Sequence, residues 1–249
     1  DTDLQYEEDF ELADTLSGSL LTGLSAFWNL NESSPRLDST ADSNTLSEID
    51  GSVGTSTGHI SPLAANFVGG IGAPILQASS SPSLSFIAID SITVAGWLFS
   101  DAFNFLDFRL PIAKWGNSGI FNDLEWALET NLGGPGTISF IVSDGAGTVT
   151  SSSPLPSLTF VFVLAAYNFA TGLLEIQINN GSPDTTVVAP FLMQSFGFPV
   201  ALASPDGGAF DTVDRHWKGR MEAWGIWKRV LTAPERTTLY NAGIGRIHA

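Results

Sequence analysis

Residues 219–245 read GRMEAWGIWKRVLTAPERTTLYNAGIG. A strand-like run, 221–227, ends on Trp227. The basic pair Lys228-Arg229 follows, and Thr232-Ala233-Pro234-Glu235 then opens a helical turn. Thr232 with Glu235 three residues on is a capping box, in which each residue satisfies an orphan donor of the other. Pro234 falls in the first turn, where a missing N–H leaves nothing unpaired. Gly243 is the expected helix stop. Trp224 and Trp227 lie three apart, so on a strand they face opposite ways and one is expected to be the more exposed. The chain therefore closes with a strand anchored by aromatics and one small helix. The strand needs a sheet to belong to.

That sheet is legible upstream. The run 91–99 (SITVAGWLF) carries apolar residues on both faces, as a central covered strand does. Strands are also expected over 24–30 (with Ala26, Trp28 and Leu30 on one face), 64–68, 73–77, 108–114, 124–128, 137–143, 148–151, 159–167, 173–178 and 191–198. Asp144-Gly145 and Asn180-Gly181 mark turns. Residues 31–58 are polar and read as an ordered long loop or short strands. Many short strands and one capped helix predict an all-β, two-sheet antiparallel sandwich. The 249 residues suit one such domain. No heptad or solenoid period appears, and the irregular spacing argues against a propeller.

Charge narrows the partners. The formal net charge is −16, from 26 acids against 10 bases. There is no basic stripe to neutralise phosphates, which excludes nucleic acid and argues against an anionic membrane surface. The longest apolar runs, such as 158–166 (LTFVFVLAA), are too short to span a bilayer. With no cysteine, disulfides, thiolate metal sites and a cysteine nucleophile are excluded. The opening stretch 1–19 concentrates acids between Leu4, Tyr6, Phe10, Leu12 and Leu16. It reads as an acidic N-terminal arm, either solvated or ordering on a partner. The domain proper is expected over 20–249.

The order of landmarks resembles the laminin G-like, concanavalin A-like jelly-roll family in its bacterial and phage form. The residues that carry the resemblance begin with Leu21 to Glu32 (LTGLSAFWNLNE), Arg36, Asp38-Ser39 and Asn44-Thr45-Leu46. Gly58-His59-Ile60, Ala65-Asn66-Phe67 and the strand from Ile92 to Trp97 follow. Then come Ile112-Ala113-Lys114, Glu125 to Leu128, Leu174 to Gly181 and the closing segment itself. The family's closing strand usually carries aspartate where this chain has Glu222, and its hairpin strand begins with tryptophan where this chain has Phe160. The resemblance implies a jelly roll covering about residues 20–245, and calcium at a sandwich rim.

No catalytic set is evident. The three histidines, His59, His216 and His248, form no HExxH and no close ligand pair. Glu125 and Glu129 share a strand face, but at about 13 Å their spacing exceeds the about 5–9 Å of paired glycosidase carboxylates. Calcium wants carboxylates and amide oxygens from loops. Asp206, Asp211 and Asp214 in SPDGGAFDTVDRHW are the leading candidates, with Asp101, Asn104, Asp107, Asn117, Asn122 and Asp123 behind them. The plain alternative is solvated turn acids. For a glycan, Trp115 and Trp217 lie beside polar, glycine-bearing segments and are expected to be exposed, with Asn117 and His216 as edge contacts. Trp28, Trp97, Trp224 and Trp227 read as core.

The expectation is thus a non-catalytic recognition or adhesion domain, extracellular or on a cell or virion surface, binding a glycan or surface polymer with possible help from Ca2+. The alternative is a virion structural protein, a phage capsid decoration or fibre component, docked into a protein lattice through the N-terminal arm. The two roles share a fold, so the fold does not choose between them.

Overall fold

The computed structural model describes residues 14–249 except 88, 102–107, 117–122, 143–146, 153, 192, 194 and 205–213. In chain order its first strands are β1 (Asp14–Thr15), β2 (Leu24–Trp28), β3 (Ser47–Ile49), β4 (Gly54–Thr57), β5 (Leu63–Val68) and β6 (Ile75–Ala78). Next come β7 (Ile92–Ser100), β8 (Ile112–Trp115), β9 (Leu124–Thr130), β10 (Ile138–Val142), β11 (Gly147–Thr150) and β12 (Phe160–Asn168). The last are β13 (Leu173–Ile178), β14 (Asp184–Val187), β15 (Val200–Leu202), β16 (Lys218–Trp227) and β17 (Arg246–Ile247), with helix α1 (Ala233–Tyr240) between the final two.

These strands build the expected antiparallel jelly-roll sandwich. One sheet runs β11-β10-β9-β8-β15-β6-β3, and the other runs β14-β13-β12-β7-β16-β5-β4 with β2 also paired to β16. β7 is central as expected, held by β12 on one side and β16 on the other, with eight of its nine residues buried. The core between the sheets follows the period-two faces: Ile92, Val94 and Leu98 from β7, Val161, Val163 and Ala165 from β12, and Trp126, Leu128 and Phe140 from the opposite sheet. Gly96 interrupts the β7 face because the Trp224 ring lies where its Cβ would be. Ala26, Trp28 and Leu30 all point into this core, as the sequence indicated.

A second apolar layer covers the outer face of the eight-stranded sheet. Trp97, Phe162, Leu164 and Trp227 on that face meet Leu231 and Leu239 of the closing segment, with Leu16, Leu20 and Phe27. This layer is why Trp224 and Trp227, which face opposite ways, are both fully buried: the reading of both as core holds, and neither is the more exposed. Trp224 fills the inter-sheet core, and Trp227 lies under the chain at Leu20, whose carbonyl accepts its indole N–H at 2.7 Å.

Three element boundaries also differ from expectation. Among the described residues of 191–198 none lies in a strand; Met193 makes an isolated bridge, and the next strand begins at Val200. Its apolar residues serve packing instead, as Phe191 stacks on Tyr167 at 4.8 Å. β14 follows the Asn180-Gly181 turn although its sequence, DTTV, has no apolar face. Helix α1 ends at Asn241, which takes the left-handed conformation, rather than at Gly243. At the other terminus, Asp14–Thr15 pairs in parallel with Arg246–Ile247, so the described chain is fastened to the sandwich from its first residues.

Candidate functional site

Of the residues singled out in the sequence, Asp214, His216 and Trp217 are described at one rim of the seven-stranded sheet, where the chain before β8 crosses the chain before β16, and Trp115 ends β8. Leu110 bridges His216, and Leu110 N–H donates to Arg215 O at 2.9 Å. Arg109 reaches across the crossing to the Asp214 carboxylate at 2.6 Å and to the His216 carbonyl at 2.9 Å. Asp214 also accepts the His216 N–H at 3.1 Å. Burial pushes the Asp214 carboxyl up, but the Arg109 hydrogen bond and charge, with the His216 N–H, outweigh it and hold the group below its ordinary value.

Beneath this rim the outer face of the sheet is closed. Trp115 joins Leu110, Ala113, Leu124, Ala127 and Ile141 in a small apolar cluster, and the Arg215 guanidinium lies 5.4 Å over its ring. Trp115 and Trp217 are each 1% exposed and His216 6%. The expectation that the two tryptophans stand open as sugar platforms is therefore corrected. Glycine and polar neighbours in the sequence mark the strand ends, and the rings turn inward from them. Asn117, Asp206 and Asp211 lie outside the described residues. Asp214 is described, and its oxygens are committed to Arg109 and His216. Among the described residues no three His, Asp or Glu gather as a cation site.

Glu125 and Glu129 sit on the same closed face. Lys114 Nζ meets Glu125 Oε1 at 2.8 Å with both side chains fully buried, and Arg215 Nη1 meets Glu129 Oε1 at 2.7 Å. Glu125 also accepts the Phe196 N–H at 2.8 Å. Burial raises both carboxyls and lowers the Lys114 ammonium, with the partner charges working against it. Each acid is thus tied to a base away from solvent. That arrangement holds loops to the sheet and keeps both carboxylates buried.

An open groove lies elsewhere, on the outer face of the eight-stranded sheet beside α1. Its volume is about 530 Å³. Glu175 and Gln177 of β13 form the floor, Asn180 and Pro183 of the β13–β14 turn one wall, and Thr232, Arg236 and Thr237 the other. The groove is preset by its own bonds. Arg236 pairs with Glu175 and donates from Nε to Leu231 O at 2.9 Å. Gln177 Nε2 donates to Gly181 O at 2.8 Å, and Thr237 Oγ1 donates to Asn180 Oδ1 at 3.3 Å. Among the described residues Gln177 Oε1 and Asn180 Nδ2 are left without a protein partner, one an acceptor and the other a donor. The sequence signal for this groove was the polar alternation of Glu175 and Gln177 with Leu174 and Ile176. It marks a solvent-side face, and only the docking of α1 turns that face into a groove.

No family model matches the chain, and no curated protein matches it. Among solved structures the chain is similar to the binding domain of Paraclostridial Mosquitocidal Protein 1, at 14% identity and a TM-score of 0.67 over 89% of this chain and 52% of that one. It is similar to the binding domain of botulinum neurotoxin serotype G at 12% identity and a TM-score of 0.67, over 88% of this chain and 51% of the other. The binding domain of botulinum neurotoxin DC, in complex with SialylT, is similar at 11% identity and a TM-score of 0.63, over 88% and 51%. The chain spans about half the length of these structures. At such identities the likeness is one of fold: the same two-sheet sandwich.

Proposed function

We propose that this chain is a non-catalytic recognition domain that works outside the cell or at a surface and takes a carbohydrate in the groove beside α1. The observation that carries the reading is the groove's polar lining. Ligand sites are mostly apolar with a few placed polar groups. Here carboxylate, amide and hydroxyl groups line a space of about 530 Å³. A sugar hydroxyl donates and accepts at once, so it matches the free Gln177 Oε1 and Asn180 Nδ2. Two further points support the reading. The carboxylates that would serve a hydrolase, Glu125 and Glu129, are locked in ion pairs. Of the proteins with this fold, one is a binding domain in complex with SialylT, and botulinum neurotoxin type C depends on interaction with two ganglioside molecules to get into cells.

The test is a broad glycan array followed by titration of any hit against Asn180→Ala and Gln177→Leu. Each variant removes a groove contact at a residue that is not in the inter-sheet core, and a loss of about tenfold or more in affinity is expected from either. A silent array, or a hit that both variants bind unchanged, overturns the reading.

A further inference from the structure

The helix α1 leaves a second open area on the same sheet face, around Arg220. The Arg220 guanidinium carbon stands 3.5 Å over the centre of the Phe99 ring and 5.2 Å from that of Phe160. Its Nη1 donates to Thr57 O at 2.6 Å. Phe160 in turn stacks on the His59 ring, with centroids 5.5 Å apart and planes at 20°. This arginine is therefore held against two neighbouring rings, whose centroids are 5.2 Å apart, and on one edge by a carbonyl.

Among the described residues Arg220 makes no ion pair, in a chain where acids outnumber bases 26 to 10. Arg109, Arg215, Arg229, Arg236 and Arg246 each take a carboxylate, and Arg36, which takes none, is fully buried against the Val53 and Gly54 carbonyls. The carboxylate two residues along the strand, Glu222, feels the Arg220 charge but makes no ion pair with it, and accepts the backbone N–H groups of His59, Ile60 and Ser61 at 2.6, 3.2 and 3.0 Å. Lys218, two residues the other way on the same side of β16, is exposed and makes no ion pair among the described residues. A stacked guanidinium with free N–H groups is the fork that binds planar anions, and its held position lowers the entropy cost of doing so.

We infer that Arg220, stacked on Phe99 and Phe160 and flanked by Lys218, is a recognition site for the carboxylate of an acidic sugar. The sugar scaffold rests on the carbohydrate reading above; the anion and the residue that takes it are new, and this site is separate from the groove. The negative charge of the whole chain disfavours indiscriminate anion uptake, so selection falls to the fork geometry.

The probes are an oligomer of galacturonic acid and the neutral galactose oligomer of equal length, titrated into the full chain. The acidic oligomer is expected to bind at least about tenfold more tightly, and Arg220→Gln to abolish that preference. Arg220→Lys keeps the charge but not the fork and is expected to lose about severalfold. In the unmutated chain, the Arg220 Nε–H resonance should move with the acidic oligomer and stay with the neutral one, which keeps the test valid if a variant fails to fold. No binding of the acidic oligomer, equal binding of the two, or a preference that survives Arg220→Gln overturns the inference. A preference that Arg220→Gln abolishes and Asn180→Ala leaves intact supports the Arg220 site even if the groove reading falls.

Discussion

Glu222 shows what one residue does at the closing strand. It sits beside a β-bulge in β16 and is fully buried, yet its carboxylate accepts three consecutive N–H groups from residues 59–61. Gly58 has no side chain because a Cβ there would collide with Glu222 Oε1 and two carbonyls. Burial pushes the carboxyl up to about 7, against the pull of those donors and of Arg220. The folded value exceeds the unfolded one, so the associated stability is full below about 4.5 and is lost as the pH rises through about 7. Glu222→Gln does not titrate. Unfolding measured across that window should therefore show the variant gaining on the unmutated chain by up to about 3 kcal/mol as the pH rises; a constant difference refutes the assignment. The buried Lys114–Glu125 pair makes a second residue-scale case. Lys114→Met strands a carboxylate in the sheet and should cost about 3–5 kcal/mol by urea denaturation, with Glu125→Gln in the same chain restoring much of it. If the double variant is no better than the single one, the pair is not the cause.

At the scale of the element, α1 decides which parts of the outer sheet face stay open. Its capping box is present as the sequence indicated: Glu235 accepts the Thr232 N–H at 2.8 Å. Arg229 adds a bidentate pair to the same carboxylate at 2.8 and 2.9 Å, and its hydrogen bonds hold Glu235 down to about 2. Glu235→Ala removes the box and the pair together. It is expected to cost about 1–2 kcal/mol in chemical denaturation and to weaken any ligand of the groove, since Thr232 and Arg236 are placed by the first turn. Unchanged stability would show that packing of Leu231 and Leu239 alone seats the helix. The element order was largely readable because burial imposes its period: β7 and β12 are apolar on both faces and pair along most of their length. β14 was not readable, because an edge strand with one partner needs backbone bonds more than side chains. The run 191–198 misled for the opposite reason, since its described apolar residues, such as Phe191 against Tyr167, pack without belonging to a strand.

For the whole molecule, the same contrast explains the site. Trp115 and Trp217 were read from their sequence neighbours, and a residue's neighbours do not say which way its ring turns. Their burial follows from the crossing of chain at Leu110 and His216, which join residues 106 apart in sequence and leave no local pattern. The groove and the Arg220 stack are likewise products of distant pieces: α1 on β13, and Thr57 beside β16. Charge was legible in amount and not in arrangement. The excess of acids is plain from composition, while the pairing of five of the seven arginines, and the absence of an ion pair at Arg36 and Arg220 among the described residues, appear only once the sheets are assembled.

The parallel pairing of β1 with β17 has a mechanical consequence. Asp14 and Thr15 lie beside Arg246 and Ile247 with the two segments running the same way. A tension drawn through the chain ahead of Asp14 and beyond Ile247 pulls the segments past each other along their length. It loads the Leu16-to-Ile247 hydrogen bond and the Arg246 contacts with Thr15 and Asp14 together, in shear, instead of opening them one at a time like a zipper. The sandwich is thereby buckled at its two ends, and a tug on both closes on the clasp before it reaches the sheets.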